Sequence, residues 1–274
     1  METSRSTGLG AEFQSLIRGG DLDGALRLVE QGINENPGDL YLYTLLSEAS
    51  EKIGVDRAIG VYLRGLDHHP NNRHLNLGVG FLYYRNKDFV NAEKYLLSAW
   101  IEDPTNVRLL TVLGKIFNSY RHFEKAIKYF ELAALIEPDN TYAIYGLANS
   151  YRGVRDNDTA LTYWLKFHDL EPRNKIAITR IGDCYLVKED LERALLYYGK
   201  ALAIGYDFYA LVGSARVYTK MKEYGKALDI YQSMADKEKN NYRYYHELIA
   251  YWEAVGDQER ADQVRELASS LSKR

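Results

Sequence analysis

The side chains of this sequence that could do chemistry fall into a few sets. His68, His69 and His74 cluster around Pro70, and three imidazoles could begin a metal site. No Cys or carboxylate completes them at ligand spacing, so they read as turn residues. Cys184 is the one thiol, with no histidine within a helical turn to activate it, and a buried inert thiol is expected. Glu189, Asp190 and Glu192, and then Asp236 and Glu238, could supply acid–base pairs, but they fall where turns are expected and read as solvated caps. Trp100, Trp164 and Trp252 recur at helical spacing and read as core. There is no glycine-rich phosphate loop, no Ser/His/Asp order and no cofactor fingerprint. No catalytic residue, no metal and no cofactor is expected. The remaining set is different in kind. Arg108, Lys115, Arg152, Arg180 and Arg216 alternate with Tyr142, Tyr145 and Tyr209, and with Asn149 and Asp183. Guanidinium groups bind carboxylates bidentately, tyrosine offers flat area with a polar tip, and an asparagine amide can bond a peptide backbone.

The elements that must position these residues read as helices. With Val107 as position 1 of the stretch 107–138, Leu110, Leu113, Gly114 and Phe117 hold positions 4, 7, 8 and 11. That spacing puts one stripe on one helix face. Ala126, Phe130 and Ala133 make a second stripe at positions 20, 24 and 27. The rhythm breaks at Tyr120-Arg121-His122, and Pro138 stops the second helix. Gly114 and Ala126 are small because two antiparallel helices cross closely there. One such hairpin cannot bury both its faces, so repetition is expected.

The repetition is visible. Pro37, Pro70, Pro104, Pro138 and Pro172 recur at intervals of 33, 34, 34 and 34 residues. A small residue recurs in register as Ala25, Ala58, Ala92, Ala126, Ala160, Ala194, Ala227 and Ala261. A period of 34 with this pattern resembles the tetratricopeptide repeat. The resemblance implies an all-α fold, a right-handed α-solenoid of about eight helix-turn-helix repeats. Their bounds fall near 6–38, 39–72, 73–106, 107–140, 141–174, 175–207, 208–241 and 242–274. Residues 9–274 are expected to form a single superhelix, with 1–8 a disordered or appended tail. In the first repeat, helices are expected at about Leu9–Arg18 and at Leu22–Glu35, the second capped by Asp21. Gly205 is expected to be a left-handed helix cap, and the next register starts one residue early. Phe167 is bulkier than position 27 usually holds, which predicts looser packing there. The last helix should bury Ala261, Val264, Leu267, Ala268 and Leu271 on one side.

Bulk properties narrow the function. A net charge of −3 argues against a nucleic-acid binder. Tyrosine is abundant, 24 against 8 Phe, as a repeat reusing it at fixed slots would produce. No apolar run approaches the ~18–20 residues needed to span a membrane. A single Cys rules out an internal disulfide and fits a reducing compartment. The location is expected to be cytoplasmic if Met1 is native, and periplasmic or lipid-anchored if a leader was removed.

In each first helix, positions 2, 5, 9 and 12 lie roughly opposite the packing stripe. The family resemblance implies that these positions line a concave groove that binds partner segments. They include Arg108, Thr111 and Lys115, then Tyr142, Tyr145, Asn149 and Arg152, then Ile176, Thr179 and Asp183 with Arg180 beside them, then Tyr209 and Arg216, and finally Arg243 and His246. The expected function is a non-enzymatic scaffold that takes a protein or peptide partner, an acidic segment, in this groove. A solvated face is the alternative, with charges paired internally, as Arg180 with Asp183. The family's chaperone-tail clamp would need cationic or amide side chains where this chain has Tyr145, Tyr209 and Gly213, and only Asn149 agrees. A second functional reading is a structural or accessory subunit. It would self-assemble as a homo-oligomer or dock onto a membrane, transport or envelope complex through its repeats.

Overall fold

The computed structural model describes residues 2–36 and 39–271, where the apolar stripes and caps of the sequence fold into sixteen helices and no strand. They come in pairs: α1 (Glu2–Gly19) and α2 (Leu22–Glu35), α3 (Leu40–Ile53) and α4 (Val55–His68), α5 (Arg73–Arg85) and α6 (Phe89–Glu102), α7 (Val107–Ser119) and α8 (Phe123–Ile136). The pairing continues with α9 (Thr141–Gly153) and α10 (Asn157–Leu170), α11 (Lys175–Val187) and α12 (Leu191–Ile204), α13 (Phe208–Lys220) and α14 (Tyr224–Glu238), α15 (Tyr242–Val255) and α16 (Gln258–Leu271). The chain divides into two compact units, Met1–Gly146 and Leu147–Arg274, with the division inside α9. Neighbouring helices pack on each other, and first helices also pack on one another, so α1, α3 and α5 form one layer, and α11, α13 and α15 another. Met1, and Pro37 of the proline series, lie outside the described residues. Helix α1 reaches back to Glu2, into the stretch expected to be a tail.

The start of seven of the eight pairs is set by one side chain. Asp39, Asn72, Asn106, Asn140, Asn174, Asp207 and Asn241 each precede a first helix and accept a backbone N–H from its first turn. That satisfies donors which otherwise have no partner inside the helix. Asp21, as expected, caps α2 by accepting from Gly24 N at 2.8 Å.

The end of each first helix is set by the backbone. Lys87, Arg121, Arg155, Glu189 and Lys222 adopt φ between 60° and 66°, at intervals of 34, 34, 34 and 33 residues. Around Arg121, His122 N donates to Phe117 O at 2.9 Å and Arg121 N donates to Asn118 O at 3.0 Å. This is a Schellman turn, and the same two bonds recur at the other four positions. Left-handed backbone costs an L residue roughly 1–2 kcal/mol. Arg121 is exposed, so Arg121→Gly should relieve that strain without loss of packing. Part of the gain is offset by glycine's freer unfolded chain. A net stabilisation of about 0.5–1 kcal/mol is expected in urea unfolding.

The core follows the sequence stripes, and ring stacking ties four of the hairpins. Tyr83 stacks on Tyr95, Phe117 on Tyr129, Tyr151 on Tyr163 and Tyr185 on Tyr197, all with centroids 5.3–5.7 Å apart. Each pair joins position 11 of a first helix to position 23 of the second, which accounts for part of the tyrosine excess. Phe130 fills the space left by Gly114, where a Cβ would come within 2.7 Å of its ring, and by Gly146, where a Cβ would overlap it. Tyr198 sits the same way between Gly182 and Gly213.

Some local expectations are corrected. Gly205 has φ 155° and ψ 175°, an extended glycine-only conformation and not a left-handed helical one. Asp236 and Glu238 lie in the last turn of α14, because that helix runs on to Glu238. Leu267 is 57% exposed. At about 100° per residue it sits roughly 90° away from the stripe of Ala261, Val264 and Ala268. Leu271 is helical, but its side chain lies outside the described set. Phe167 is buried with its ring edge-on to Trp164 at 6.3 Å.

Candidate functional site

The sets that suggested chemistry are settled first by their surroundings. His68 closes the last turn of α4, His69 is its C-cap, and His74 opens α5 beside Arg73. Among the described residues no group of three His, Cys, Asp or Glu side chains could hold a metal ion. The Cys184 thiol is pushed up to about 11, by burial first and by Asp183 next, which keeps it protonated near neutrality. Glu189 pairs with Lys220 at 2.9 Å, and Asp190 caps α12 by accepting from Arg193 N at 3.1 Å. Trp164 and Trp252 are buried, whereas Trp100 is half-buried with its ring edge-on to Tyr129.

The cation and tyrosine set divides between the two units. In the N-terminal unit, Arg108, Lys115 and Tyr142 meet in one hollow of about 410 Å³ with Phe81, Tyr84 and Arg85. The Arg108 guanidinium lies 4.3 Å above the centroid of Phe81, and the Lys115 ammonium lies 4.4 Å from that of Tyr142. Both contacts hold a cation on the negative face of a ring. Burial pulls the Lys115 ammonium below its ordinary lysine value. Among the described residues, neither Arg108 nor Lys115 forms an ion pair with a carboxylate. A second hollow, about 640 Å³, shares Phe81, Arg85 and Arg108 and continues over Tyr43, Thr44, Ser47, His74 and Leu77.

In the C-terminal unit, Arg152, Arg180, Asp183, Tyr209 and Arg216 line a hollow of about 680 Å³ together with Arg243, His246 and Glu247. Here most of the charge is already matched. Arg180 donates to Asp183 at 2.8 Å, and Arg216 Nε donates to Glu247 at 2.8 Å. Asp183 also accepts from the Tyr198 hydroxyl at 2.9 Å. Arg180 lies over the Tyr209 ring at 5.5 Å, and Arg243 donates to the Tyr209 hydroxyl. The internal pairing weighed for Arg180 therefore exists. Tyr145 and Asn149 are half-buried on α9 and line neither hollow.

Phe81 and Tyr84, which sequence reading missed, occupy positions 9 and 12 of the third repeat. The position rule finds them once it is applied to that repeat. Glu247 was missed because it stands at position 6, outside the rule.

Helix hairpins stacked at a period of 34, with their first helices forming a layer, define a helical-repeat solenoid. Tetratricopeptide repeat profiles match residues 107–140 and 145–210. Residues 107–140 and 145–210 therefore carry tetratricopeptide repeats. The chain resembles the crystal structure of YrrB, described as a tetratricopeptide repeat protein with an unusual peptide-binding site. The TM-score is 0.60 at 23% identity, covering 67% of this chain and 95% of that one. It also resembles MamA, with TM-score 0.55 at 25% identity over 57% of this chain and 92% of that one. A tetratricopeptide repeat protein from Parabacteroides merdae matches with TM-score 0.56 at 15% identity, over 96% of this chain and 98% of that one. No curated protein matches the sequence. No helix among the described residues is long and apolar enough to cross a membrane.

Proposed function

We propose that this protein is a non-enzymatic interaction scaffold, and that its N-terminal unit holds a carboxylate-bearing peptide segment of a partner on Arg108 and Lys115. One observation carries the reading. Two cations stand on aromatic rings in an open hollow, and among the described residues no carboxylate pairs with either. Cation–π contact fixes their position at low entropy cost but leaves their N–H donors available to an anion. Phe81, Tyr84 and Tyr142 supply the flat apolar area that a peptide covers. The peptide site of YrrB supports the same class of ligand.

The test is an anisotropy titration with fluorescein-labelled hexaglutamate. Arg108→Glu with Lys115→Glu is expected to weaken binding by about 30-fold, or 2 kcal/mol, with the far-UV spectrum unchanged. Equal binding by wild type and double variant would remove these residues from the site.

The alternative, an accessory subunit that assembles through its repeats, has one observation in its favour. Ile101 and Leu135, one repeat apart on α6 and α8, are 75% and 79% exposed. It predicts a molar mass in light scattering that rises with concentration and falls back with Leu135→Glu.

A further inference from the structure

We propose that the N-terminal unit binds a second copy of this chain through the two opposite ends of α6 and α8, and that copies join start to end into open rows. This contact rests on the assembly reading above and gives it a partner and a direction. The hollow at Arg108 and Lys115 takes no part in it.

Charge is sorted along these two helices. Residues 85–94 and 119–128, the turns before them and their first halves, hold six cations, Arg85, Lys87, Lys94, Arg121, Lys125 and Lys128. Three carboxylates stand among them, Asp88, Glu93 and Glu124. Residues 95–106 and 129–140, the last halves and the turns after them, hold five carboxylates, Glu102, Asp103, Glu131, Glu137 and Asp139, and no Lys or Arg. Two cations are engaged at home: Arg85 donates to the Ser50 hydroxyl at 3.0 Å, and Arg73 of α5 reaches Asp103 at 3.4 Å. With both counted, the starts remain positive and the ends negative. Glu102 closes α6 and Glu137 is the C-cap of α8, and neither last turn carries a basic residue. A helix C-terminus favours a cation, so these ends gain from one supplied by another molecule.

Apolar side chains stand at both ends of the same surface. Val90, in the first turn of α6, is 72% exposed, and Ile136 is exposed beside the Ile101 and Leu135 pair. Val90 and Ile101 are eleven residues apart, which is about 20° in rotation and roughly 16 Å along the axis. They therefore lie on one outer face at opposite ends of the helix. A shift along the axis by about one helix length brings the Val90 end of one copy to the Ile101 and Leu135 end of the next. Lys87 and Arg121 then stand opposite Asp103 and Glu137, and the members of each pair are 34 residues apart, so both rows keep the spacing of the repeat. The complement of each end is thus present on the same molecule, which is why the occupant is a second copy. The two joined surfaces differ, so every copy keeps one end open and the row does not close.

The test follows the full chain by sedimentation velocity and light scattering. At about 20 mM salt the molar mass is expected to rise with protein concentration to roughly double or more, and at about 0.5 M salt to fall back to that of one chain. Lys87→Glu with Arg121→Glu reverses the contact charges at the starts, and Glu102→Lys with Glu137→Lys reverses them at the ends. Each double variant alone should keep the mass of one chain at low salt, with its far-UV spectrum unchanged. Mixed in equal amounts the two should associate again, because native start meets native end and reversed start meets reversed end. Arg108→Glu with Lys115→Glu should associate like the wild type, which separates this surface from the peptide hollow. A mass that stays at one chain up to about 1 mM protein overturns the contact together with the assembly reading. A mass that rises but ignores salt, or variants that stay apart on mixing, overturns the rows and leaves assembly itself standing.

Discussion

Phe130→Ala is expected to destabilise the protein by about 3–5 kcal/mol in urea unfolding. The ring is fully buried and fills the gap that Gly114 of its own hairpin and Gly146 of the following helix leave open. Neither glycine carries a side chain that could move in to fill the void. The loss therefore includes both the transfer of the ring and a cavity that does not collapse. Gly114→Leu should be damaging for the reverse reason, because its Cβ alone would come within 2.7 Å of the ring. If Phe130→Ala instead cost less than about 1 kcal/mol, the ring would not be the key of this crossing.

The second large effect is alkaline unfolding. Burial raises the phenol of Tyr62, and burial with a neighbouring carboxylate raises those of Tyr198 (Asp183) and Tyr231 (Glu247). Each stays protonated in the folded protein, whereas in the unfolded chain each ionises near its ordinary value of 10.0. A group whose folded value is raised contributes stability that is complete below the unfolded value and lost as pH climbs toward the folded one. At pH 11 each phenol should cost on the order of 1 kcal/mol, and the three together a few kcal/mol. Urea midpoints at pH 8 and pH 11 measure the loss. Tyr198→Phe removes one of the titrating groups and should reduce the pH dependence by on the order of 1 kcal/mol between pH 8 and pH 11, although it also removes the hydroxyl bond to Asp183. An unchanged slope in that variant would show that the loss arises elsewhere.

Much of the fold could be read directly because one period governs it. The break at Tyr120–His122 and the helix Leu22–Glu35 match the structure residue for residue, the first marked by the interruption of the apolar stripes and the second by its Asp21 cap. The five Schellman turns at Lys87, Arg121, Arg155, Glu189 and Lys222 were not legible. Their left-handed residues are Lys, Arg and Glu, side chains that carry no mark of the strain, which is offset by two backbone bonds. Gly205 was legible as a cap but not in its φ and ψ, which side-chain type does not specify. The candidate site was half legible. Position in the repeat placed Arg108, Lys115, Arg152 and Arg216 on hollows. It did not reveal which cations were already paired, because Glu247 reaches Arg216 from 31 residues away in the chain.

The central claim is that the open cations on the first-helix face of the N-terminal unit receive an acidic segment. Backbone amide shift mapping of the full chain with hexaglutamate tests it most directly. The account predicts the largest shifts at Phe81, Arg108, Lys115 and Tyr142, with little change at Ile101 and Leu135. Shifts centred on Ile101 and Leu135, or none that saturate, would contradict it.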